Sequence, residues 1–511
     1  MDQPMMHHLA LISWIPFSLV VIYLSLNLIQ KRKKRSREVK KQPPGPWKLP
    51  LIGNLHQMMG SLPHRVLHKL AQKHGDLMHL QLGEVSAIVV SSPRATKEFL
   101  KTHDVAFADR PSFTVGNIIF YNYSDIIFCP YSDYWRQMRK ICTQELLSTK
   151  NVRSLGSIRQ DEVLKLVSSI KQGVIVNVTR KVCAYTSSMI CRAVFGQTLG
   201  SHDRGALVQL LQEVITMSSG FDVYDVFPSW KILHRLMGNK PRLLELHDKI
   251  DEILDTIIQQ HLDNPTGRNG EFGQEDLIDV LLRIKQSREF PLPITNTHIK
   301  AVILDMFGGG ANTSATAVEW AMAEMIRNPD VLAKAQNEIR KALPPGNKIL
   351  EETDIQQFSY LKLIIKETLR LHPPAPLIPR ESREPCEVDG YLIPPKTRVI
   401  FNIWANGRDP NYWNDAESFK PERFQNDSVD MLGGNYEFLP FGAGRRICPG
   451  LSFGLANLEV PLAYLVCYFD WKLPYDIKHD VLDMREAYGS TAVRKNNLCL
   501  VPYFHDFSGT P

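Results

Sequence analysis

Helical periodicity dominates the hydrophobic pattern of this chain. Apolar residues recur every three or four positions through most of Asp161 to Gln260, and most regularly from Leu244 to Leu262, which predicts amphipathic helices. Met78 to Leu82 and Ala87 to Ser91 are short apolar runs on either side of a turn, and such runs predict strands. The pattern therefore predicts a mainly α protein with a small β region near the N-terminus.

One helix is predicted to be much longer than the others. Thr295 can cap its start and Asn328-Pro329 can end it, so about 31 residues would extend for about 46 Å. Gly308–Gly310 stand in its middle, where each glycine costs about 1 kcal/mol relative to alanine. The glycines indicate either close approach of a ligand or a local opening of the helix. A crossing with another helix is the alternative.

The N-terminal region has a separate organisation. Leu9 to Ile29 carries no formal charge and has about the 20 residues that a membrane span needs. Basic residues from Lys31 to Arg37 follow at once, and such clusters stay on the cytoplasmic side. We therefore predict a single-pass anchor at 1–30, with a cleaved signal peptide as the alternative.

Consecutive prolines at Pro43-Pro44 and Pro46 keep the next stretch extended. We predict a basic, proline-rich hinge at 31–60 and a folded catalytic domain at 61–511. The formal net charge of +6 is concentrated in residues 31–41, so the body of the protein is not predicted to bind nucleic acid.

Cysteine usage points to one loop. The chain has 8 cysteines without a close C-x-x-C pair, which argues against a disulfide framework or a zinc site. Cys448, however, lies in the glycine-rich run Phe441–Gly450, just before a predicted helix from Leu451 to Phe469. A helix N-terminus favours a thiolate, which could ligate a metal or act as a nucleophile. The alternative is a buried structural cysteine.

Two further groups combine side chains that can bind each other or a ligand. Trp135 and Arg139 are four positions apart on a predicted helix, so an indole N–H and a guanidinium could face two carboxylates of a planar ligand. Glu367 and Arg370 are three positions apart, and Arg423 follows in a Pro-Glu-Arg-Phe segment. One carboxylate between two guanidinium groups would form a charge-assisted network, although surface pairs with this spacing are common.

The spacing of Phe441, Gly444, Arg446, Cys448 and Gly450 resembles the haem-thiolate loop of the cytochrome P-450 monooxygenases. This resemblance implies the cytochrome P-450 fold, haem b as cofactor and Cys448 as the ligand of its iron. A thiolate ligand supplies electron density that favours O–O cleavage.

The same resemblance extends to the residues around the haem. It assigns Trp135 and Arg139 to the helix that binds the haem propionates, and it implies that Arg380 and Arg446 also reach a propionate. It identifies Glu367, Arg370 and Arg423 with the structural triad of the family, which implies a role in folding and haem retention.

The middle of the long helix resembles the family segment that lies above the iron. Gly309, Gly310 and Thr313 match, and Thr313 is expected to hold the reacting oxygen through its hydroxyl. Asn312 stands where the family usually has an acid, and an amide cannot ionise. We therefore predict that water or a substrate hydroxyl carries the proton past Asn312.

The resemblance also implies a set of residues in contact with substrate. These are Ile118, Phe120, Tyr121, Asp305, Gly309, Ala375, Leu377, Ile378, Tyr488 and Ser490. Most of the surrounding segments are apolar, which favours a neutral, apolar substrate. Asp125 or Asp305 could pair with an amine if the substrate were an alkaloid.

The proline-rich hinge and the run from Glu437 are similar to plant microsomal members that oxidise terpenoids and alkaloids. This implies transfer of one oxygen atom from O2 to a small apolar metabolite, with a terpenoid, including diterpenes, as the first expectation. Oxidation of a monoterpene indole alkaloid is the next. Two further candidate functions are a peroxide-using haem-thiolate isomerase or dehydratase and a non-catalytic haem-binding protein.

The chain has no G-x-G-x-x-G dinucleotide motif between a strand and a helix. The resemblance therefore implies a separate NADPH-cytochrome P-450 reductase, with cytochrome b5 as a second candidate donor. Arg136, Lys140 and Arg445 form the predicted docking face. The anchor would hold the protein in the lipid of the endoplasmic reticulum membrane, with the catalytic domain in the cytosol.

Overall fold

The computed structural model describes residues 42–507 except 197–200, 218–221, 231–233, 235–238, 264–274, 288, 344–349 and 426–427. The predicted anchor at 1–30 and the basic part of the hinge lie outside the described residues. The helices are α1 (Leu55–Met58), α2 (Pro63–His74), α3 (Pro93–Lys97), α4 (Thr114–Ile118), α5 (Asp133–Ile141), α6 (Thr149–Ser154), α7 (Gly156–Ser168), α8 (Val178–Phe195), α9 (Ser201–Met217), α10 (Val223–Val226), α11 (Lys240–Asp263), α12 (Leu277–Ser287), α13 (Asn296–Arg327), α14 (Pro329–Ala342), α15 (Glu352–Ile355), α16 (Ser359–Leu371), α17 (Ile403–Asn406) and α18 (Leu451–Tyr468).

The strands form two small sheets and a hairpin. They are β1 (Leu77–Leu82), β2 (Val85–Val90), β3 (Val176–Asn177), β4 (Leu377–Glu381), β5 (Cys386–Val388), β6 (Tyr391–Ile393), β7 (Arg398–Asn402), β8 (Phe469–Lys472) and β9 (Cys499–Phe504). The larger sheet has the order β1-β2-β7-β4, with β2 and β7 parallel and the outer pairs antiparallel. The second sheet has the order β3-β9-β8, and β5-β6 is the hairpin. The prediction of a mainly α protein with a small β region is confirmed.

The long helix α13 is the axis of the fold. Thr295 caps it, accepting a hydrogen bond from the backbone of His298, whose side chain in turn accepts from the Thr295 N–H. The helix is 32 residues long and continues without interruption through Gly308–Gly310, so a local opening of the helix does not occur. It packs most closely on α8 and α18, and Trp320 is fully buried in the core around its second half.

Helix α18 follows the cysteine and completes the core. Among the described residues it alone is long and apolar enough to cross a membrane, but 61% of it is buried inside the fold. Contacts with α13, α14 and α7 account for this burial. The composition of α18 therefore reflects a central position in the core.

The predicted network around Glu367 is fully formed. Arg370 donates to both carboxylate oxygens of Glu367 at 2.7 and 2.8 Å, and Arg423 donates to one at 3.0 Å. Arg370 also donates to the carbonyls of Gly407 and Ala416. Because Glu367 and Arg370 are buried, these bonds fix the segment that leads to the cysteine loop against α16.

Candidate active site

The cysteine loop, residues 441–450, is a compact turn shaped by glycine. Gly442 and Gly444 have φ of +73° and +65°, a conformation that glycine adopts without steric cost. A Cβ on Gly444 would lie only 2.5 Å from an oxygen of Asp104. The N–H of Cys448 donates to the carbonyl of Phe441 at 2.9 Å, so the backbone on both sides of the cysteine is fixed.

The Cys448 thiol lies on the wall of a large cavity, in an environment that does not favour its ionisation. Burial raises the pKa of the Cys448 thiol, while the N–H of Gly450 and the charge of Arg139 act in the opposite direction. Helix α18 begins at Leu451, as predicted, and the N–H of Gly450 just before it acts in the expected direction without outweighing burial. A bound metal ion would deprotonate the sulfur directly.

A group of arginines lines the cavity on the same side as the cysteine. Its members are Arg110, Arg139, Arg380 and Arg446. Burial and neighbouring positive charge lower the pKa of Arg446 to about 9 and that of Arg110 to about 10. The pKa of Arg380 is lowered by the same causes. Such a concentration of buried positive charge is costly unless anionic groups neutralise it.

Arg380 has unused donors in the cavity wall. One Nη donates to the carbonyl of Ala443 at 3.1 Å, whereas Nε and the other Nη are buried without a partner among the described residues. Arg446 instead uses its guanidinium to hold the backbone, donating to the carbonyls of Ala108, Ile126 and Cys129. Unpaired donors of Arg380 are what a carboxylate ligand would satisfy.

Trp135 has a different role from the one expected of its indole N–H. That group donates to the carbonyl of Ile126 at 3.0 Å, so it does not point at a ligand carboxylate. The ring supports two guanidinium groups instead, with Arg446 at 4.2 Å and Arg139 at 5.8 Å from its centroid. Trp135 therefore orients these arginines; direct contact with a cofactor stays a prediction.

The three glycines of α13 have two different explanations. A Cβ on Gly308 would contact nothing within 4 Å, and one on Gly309 would lie 4.0 Å from Ile127. All three glycines line the cavity, so the neighbours of the added Cβ distinguish them. A Cβ on Gly310 would lie 2.7 Å from Ile190 of α8. Gly310 thus allows the two helices to cross, whereas Gly308 and Gly309 leave room for a ligand.

Thr313 and Asn312 are adjacent in sequence but differ in position. Thr313 lines the cavity, and its hydroxyl donates to the carbonyl of Gly309 at 2.6 Å. Asn312 is not among the residues that line the cavity, and its carbonyl accepts from Thr316. The structure thus gives Thr313, but not the side chain of Asn312, access to a ligand.

The cavity has a volume of about 580 Å³ and a mainly apolar lining. Most of the predicted substrate contacts lie on it: Phe120, Asp305, Gly309, Ala375, Leu377, Ile378, Tyr488 and Ser490. Ile118 and Tyr121 do not line it. Ile118 is buried in a neighbouring cluster, and the Tyr121 hydroxyl donates to Asp251 of α11 at 2.8 Å.

Asp305 lines the cavity, where the backbone and a second acid surround its carboxyl group; pairing with a ligand amine stays a prediction. One of its oxygens accepts from the N–H of Ile126 at 2.6 Å, and its carboxyl group also interacts with that of Asp125. Asp125 in turn accepts from the N–H groups of Ile127 and Phe128. The two acids therefore bind each other and the backbone.

Some residues of the site carry little or no signal in the sequence. Arg110 was not predicted, although an arginine between Asp109 and Pro111 in an otherwise apolar stretch could have marked it. Ile190 and Phe453 also line the cavity. They come from helices whose apolar faces gave no sign of which residue would be turned to a ligand.

The predicted docking face is exposed and basic. Arg136, Lys140 and Arg445 all lie at the surface. Arg136 is paired with Asp133, and Arg445 lies 3.7 Å from Asp104, so part of the positive charge is balanced locally. Its use by a partner protein stays a prediction.

A haem fits the residues present. Cys448 supplies a sulfur on the cavity wall, Arg380 supplies buried donors without a partner among the described residues, and Gly308 and Gly309 leave open space opposite. The buried arginines match the two carboxylates of such a group in charge.

Comparison with known proteins supports the same conclusion. A family model described as Cytochrome P-450 matches residues 43–497. Premnaspirodiene oxygenase of Hyoscyamus muticus is 54% identical over 497 residues, which cover 95% of this chain and 98% of that protein. The 5-epiaristolochene 1,3-dihydroxylase of Nicotiana tabacum is 54% identical over 500 residues, with 95% and 98% covered. Amorpha-4,11-diene 12-monooxygenase of Artemisia annua is 49% identical over 483 residues, with 94% and 96% covered.

Solved structures show the same fold at lower identity. A zebra fish cytochrome P-450 with progesterone superposes with a TM-score of 0.74 at 23% identity, covering 87% of this chain and 100% of that one. With a matching family model over most of its length, close relatives and a cysteine loop in place, the chain belongs to the cytochrome P-450 family.

Proposed function

We propose that this protein is a plant cytochrome P-450 monooxygenase that oxidises a sesquiterpene, with electrons from NADPH delivered by a separate reductase. The observation that carries the proposal is the position of Cys448 on the wall of a large apolar cavity. The similarity to proteins named for premnaspirodiene, 5-epiaristolochene and amorpha-4,11-diene supports the substrate class. This proposal narrows the terpenoid of our first expectation to a sesquiterpene, whereas a diterpene finds no support among these relatives.

Cys448 would hold the haem iron, and Arg110, Arg380 and Arg446 would neutralise its carboxylates. When bound, the haem supplies the activation of O2. The protein places that chemistry in a water-poor, apolar cavity, where a hydrocarbon gains about 25 cal/mol for each Å² of apolar surface removed from water. Binding would therefore depend on shape and apolar area, because few polar groups are free to orient the substrate.

Thr313 would control one proton in the cavity. Its hydroxyl now donates a hydrogen bond to the carbonyl of Gly309, and rotation of the side chain would redirect that donor towards a ligand. Asn312 cannot supply a proton by ionising, so water or a substrate hydroxyl would complete the transfer. Asn312→Asp should therefore change the ratio of product to NADPH consumed, and an unchanged ratio would contradict this role.

The partners and the location follow the same reasoning. The exposed residues Arg136, Lys140 and Arg445 would meet an acidic surface of the reductase, and cytochrome b5 could use the same face. The apolar run at 9–29 would anchor the chain in the endoplasmic reticulum membrane, with the described domain in the cytosol. These proposals rest on charge and sequence pattern.

The test is co-expression with a plant reductase, followed by mass spectrometry of products. The panel should contain premnaspirodiene, 5-epiaristolochene, germacrene A and amorpha-4,11-diene, together with a diterpene and a monoterpene indole alkaloid. Oxygenated product from a sesquiterpene, dependent on NADPH, is the expected result. Product from peroxide alone would favour an isomerase or dehydratase, and haem binding without any product would favour a binding protein.

A further inference from the structure

Two buried acids lie behind one part of the cavity wall, where Asp305 lines the cavity and Asp125 lies beside the lining residue Ile126. Asp125 and Asp305 are 0% and 3% exposed. They belong to different elements, since Asp305 lies on α13 and Asp125 opens the turn of residues 125–129. This turn, called the wall turn below, carries Ile126, Ile127 and Phe128 on the cavity.

The hydrogen bonds of the pair leave one position open on each acid. Oδ2 of Asp305 accepts from the N–H of Ile126 at 2.6 Å. Oδ2 of Asp125 accepts from the N–H of Phe128 at 2.7 Å and that of Ile127 at 3.1 Å. Oδ1 of each acid is buried and receives no donor from the described residues. A proton between the two carboxyl groups would satisfy both oxygens.

We propose that Asp125 and Asp305 share one proton and thereby act as positioning residues, holding the wall turn against α13 as one side of the substrate cavity. Arg446 and Trp135 hold the same turn from its other side, because both donate to the carbonyl of Ile126. The pair is thus the connection between the wall turn and the helix that carries Thr313.

The electrostatic environment is consistent with one retained proton. Burial raises the pKa of Asp125 to about 6, and burial together with the charge of Asp125 raises the pKa of Asp305 well above its usual value. Like charges this close cannot both ionise without a large cost. At neutral pH the pair has therefore released one of its two protons and keeps the other.

The charged and titratable groups around the pair do not remove this proton. Arg110 and Arg446 face Asp125, and their charge would be shared with the carboxylates of a bound haem. Cys129, Tyr134 and Cys142 lie near Asp305, and burial raises the pKa of each. These three groups therefore stay neutral and supply no competing charge.

The raised pKa values of the two acids determine how their contribution to stability changes with pH. Both acids have a pKa above the unfolded value of about 3.9, so their folded form keeps protons that the unfolded chain would lose. Their contribution to stability is complete below that value and falls as pH rises through the folded pKa values. The wall turn should stay attached while one proton remains and loosen when Asp305 also ionises.

The test compares backbone hydrogen exchange of residues 126–128 in the ligand-free holoenzyme of the full chain. Protection factors, corrected for the intrinsic pH dependence of exchange, are measured from about pH 6 up to the pH at which haem is lost. In the wild type, protection should fall by roughly tenfold or more as the shared proton leaves, the change expected from a lost charge-assisted hydrogen bond.

Two variants of Asp305 separate the effect of its hydrogen bond to Asp125 from the effect of its side-chain volume. In Asp305→Asn, the amide can donate to Asp125, so protection should persist and become independent of pH. In Asp305→Ala, protection should be low at every pH. Glu319→Gln is the matched control, because Glu319 is a buried acid of the same helix whose pKa is also raised by burial, but it bonds to Thr179 instead.

A second readout does not require the wall turn to move. One infrared carbonyl band of a protonated carboxylic acid should be present in the wild type at neutral pH, lost in Asp305→Asn and kept in Glu319→Gln. Retention of that band in Asp305→Asn, or equally fast exchange in Asp305→Asn and Asp305→Ala, would overturn the proposal. Neither measurement uses a substrate, so failure here would leave the proposed oxidation of a sesquiterpene untouched.

Discussion

Two irregular segments enclose the cavity, and they adopt left-handed backbone conformations by different means. In the cysteine loop, Gly442 and Gly444 have φ of +73° and +65°. In the wall segment, defined as residues 113–129, Tyr121, Asn122 and Tyr123 have φ of +48°, +55° and +62°. The same conformation is free for glycine but costs roughly 1–2 kcal/mol for an L-residue.

Side-chain hydrogen bonds compensate for the cost of the left-handed backbone in the wall segment. The wall segment is held by side chains, since the hydroxyl of Tyr121 donates to Asp251 at 2.8 Å and that of Tyr123 to the carbonyl of Phe113 at 3.0 Å. The left-handed positions of the cysteine loop need no side-chain tether of their own, because glycine adopts this conformation directly; Arg380 and Asp104 bind the backbone of neighbouring loop residues. We infer that the loop holds the cofactor in one fixed geometry, whereas the wall can adjust when its tethers yield.

The largest effect should come from giving the cysteine loop a side chain. In Gly444→Ala, the alanine would have to adopt a left-handed backbone conformation, and its Cβ would lie only 2.5 Å from an oxygen of Asp104. Together these two effects should cost about 2–5 kcal/mol. Haem content and urea unfolding should both fall. Gly434→Ala is the control, since a Cβ there meets nothing within 4 Å; equal effects of the two substitutions would show that the loop tolerates a side chain.

A smaller effect is expected from Arg380→Met. The change removes donors that face the cavity while keeping an apolar stem of similar length, so haem should dissociate roughly tenfold or more faster, as for loss of a hydrogen bond to a charged group at about 1.5–3 kcal/mol. Transfer of haem to an acceptor protein measures this rate. Arg408→Met, which removes a buried arginine stacked on Trp404, should lower stability without changing the rate.

The smallest effects should appear in the wall segment. Asn122→Gly removes a left-handed L-residue and should stabilise the protein by up to about 1 kcal/mol. Tyr121→Phe removes one hydrogen bond and should destabilise it by about 1 kcal/mol. Thermal or urea unfolding of the holoenzyme measures both. If both substitutions stabilised the protein, or both destabilised it, backbone strain and tethering hydrogen bonds would not oppose each other in this segment.

The contrast also explains which parts could be predicted from sequence. The cysteine loop and the network of Glu367 are local patterns of residue type and spacing, and both form as expected. The long helix was predicted to within about one residue of its observed bounds, because capping and proline signals are local. The sequence does not show that Gly308 leaves room for a ligand whereas Gly310 allows two helices to cross, because only the packing of Gly310 on Ile190 distinguishes the two positions.

The wall segment lacks such local signals. Its aromatic and aliphatic residues have no clear period, so Ile118 and Tyr121 were expected at the cavity although neither lines it. The pairing of Asp125 with Asp305 joins residues 180 positions apart in the chain, and no spacing rule predicts it. Trp135 is predicted to face a ligand together with Arg139, but the partner of its indole N–H depends on where the wall turn lies.

The most direct test of the account is the reduced, carbon-monoxide-treated difference spectrum of Cys448→Ser beside Cys386→Ser. Cys386 lies on β5 and does not line the cavity, so its substitution controls for loss of a cysteine in general. We predict that the haem-thiolate band disappears in Cys448→Ser and is unchanged in Cys386→Ser. An unchanged band in Cys448→Ser would contradict the assignment of the iron to this sulfur.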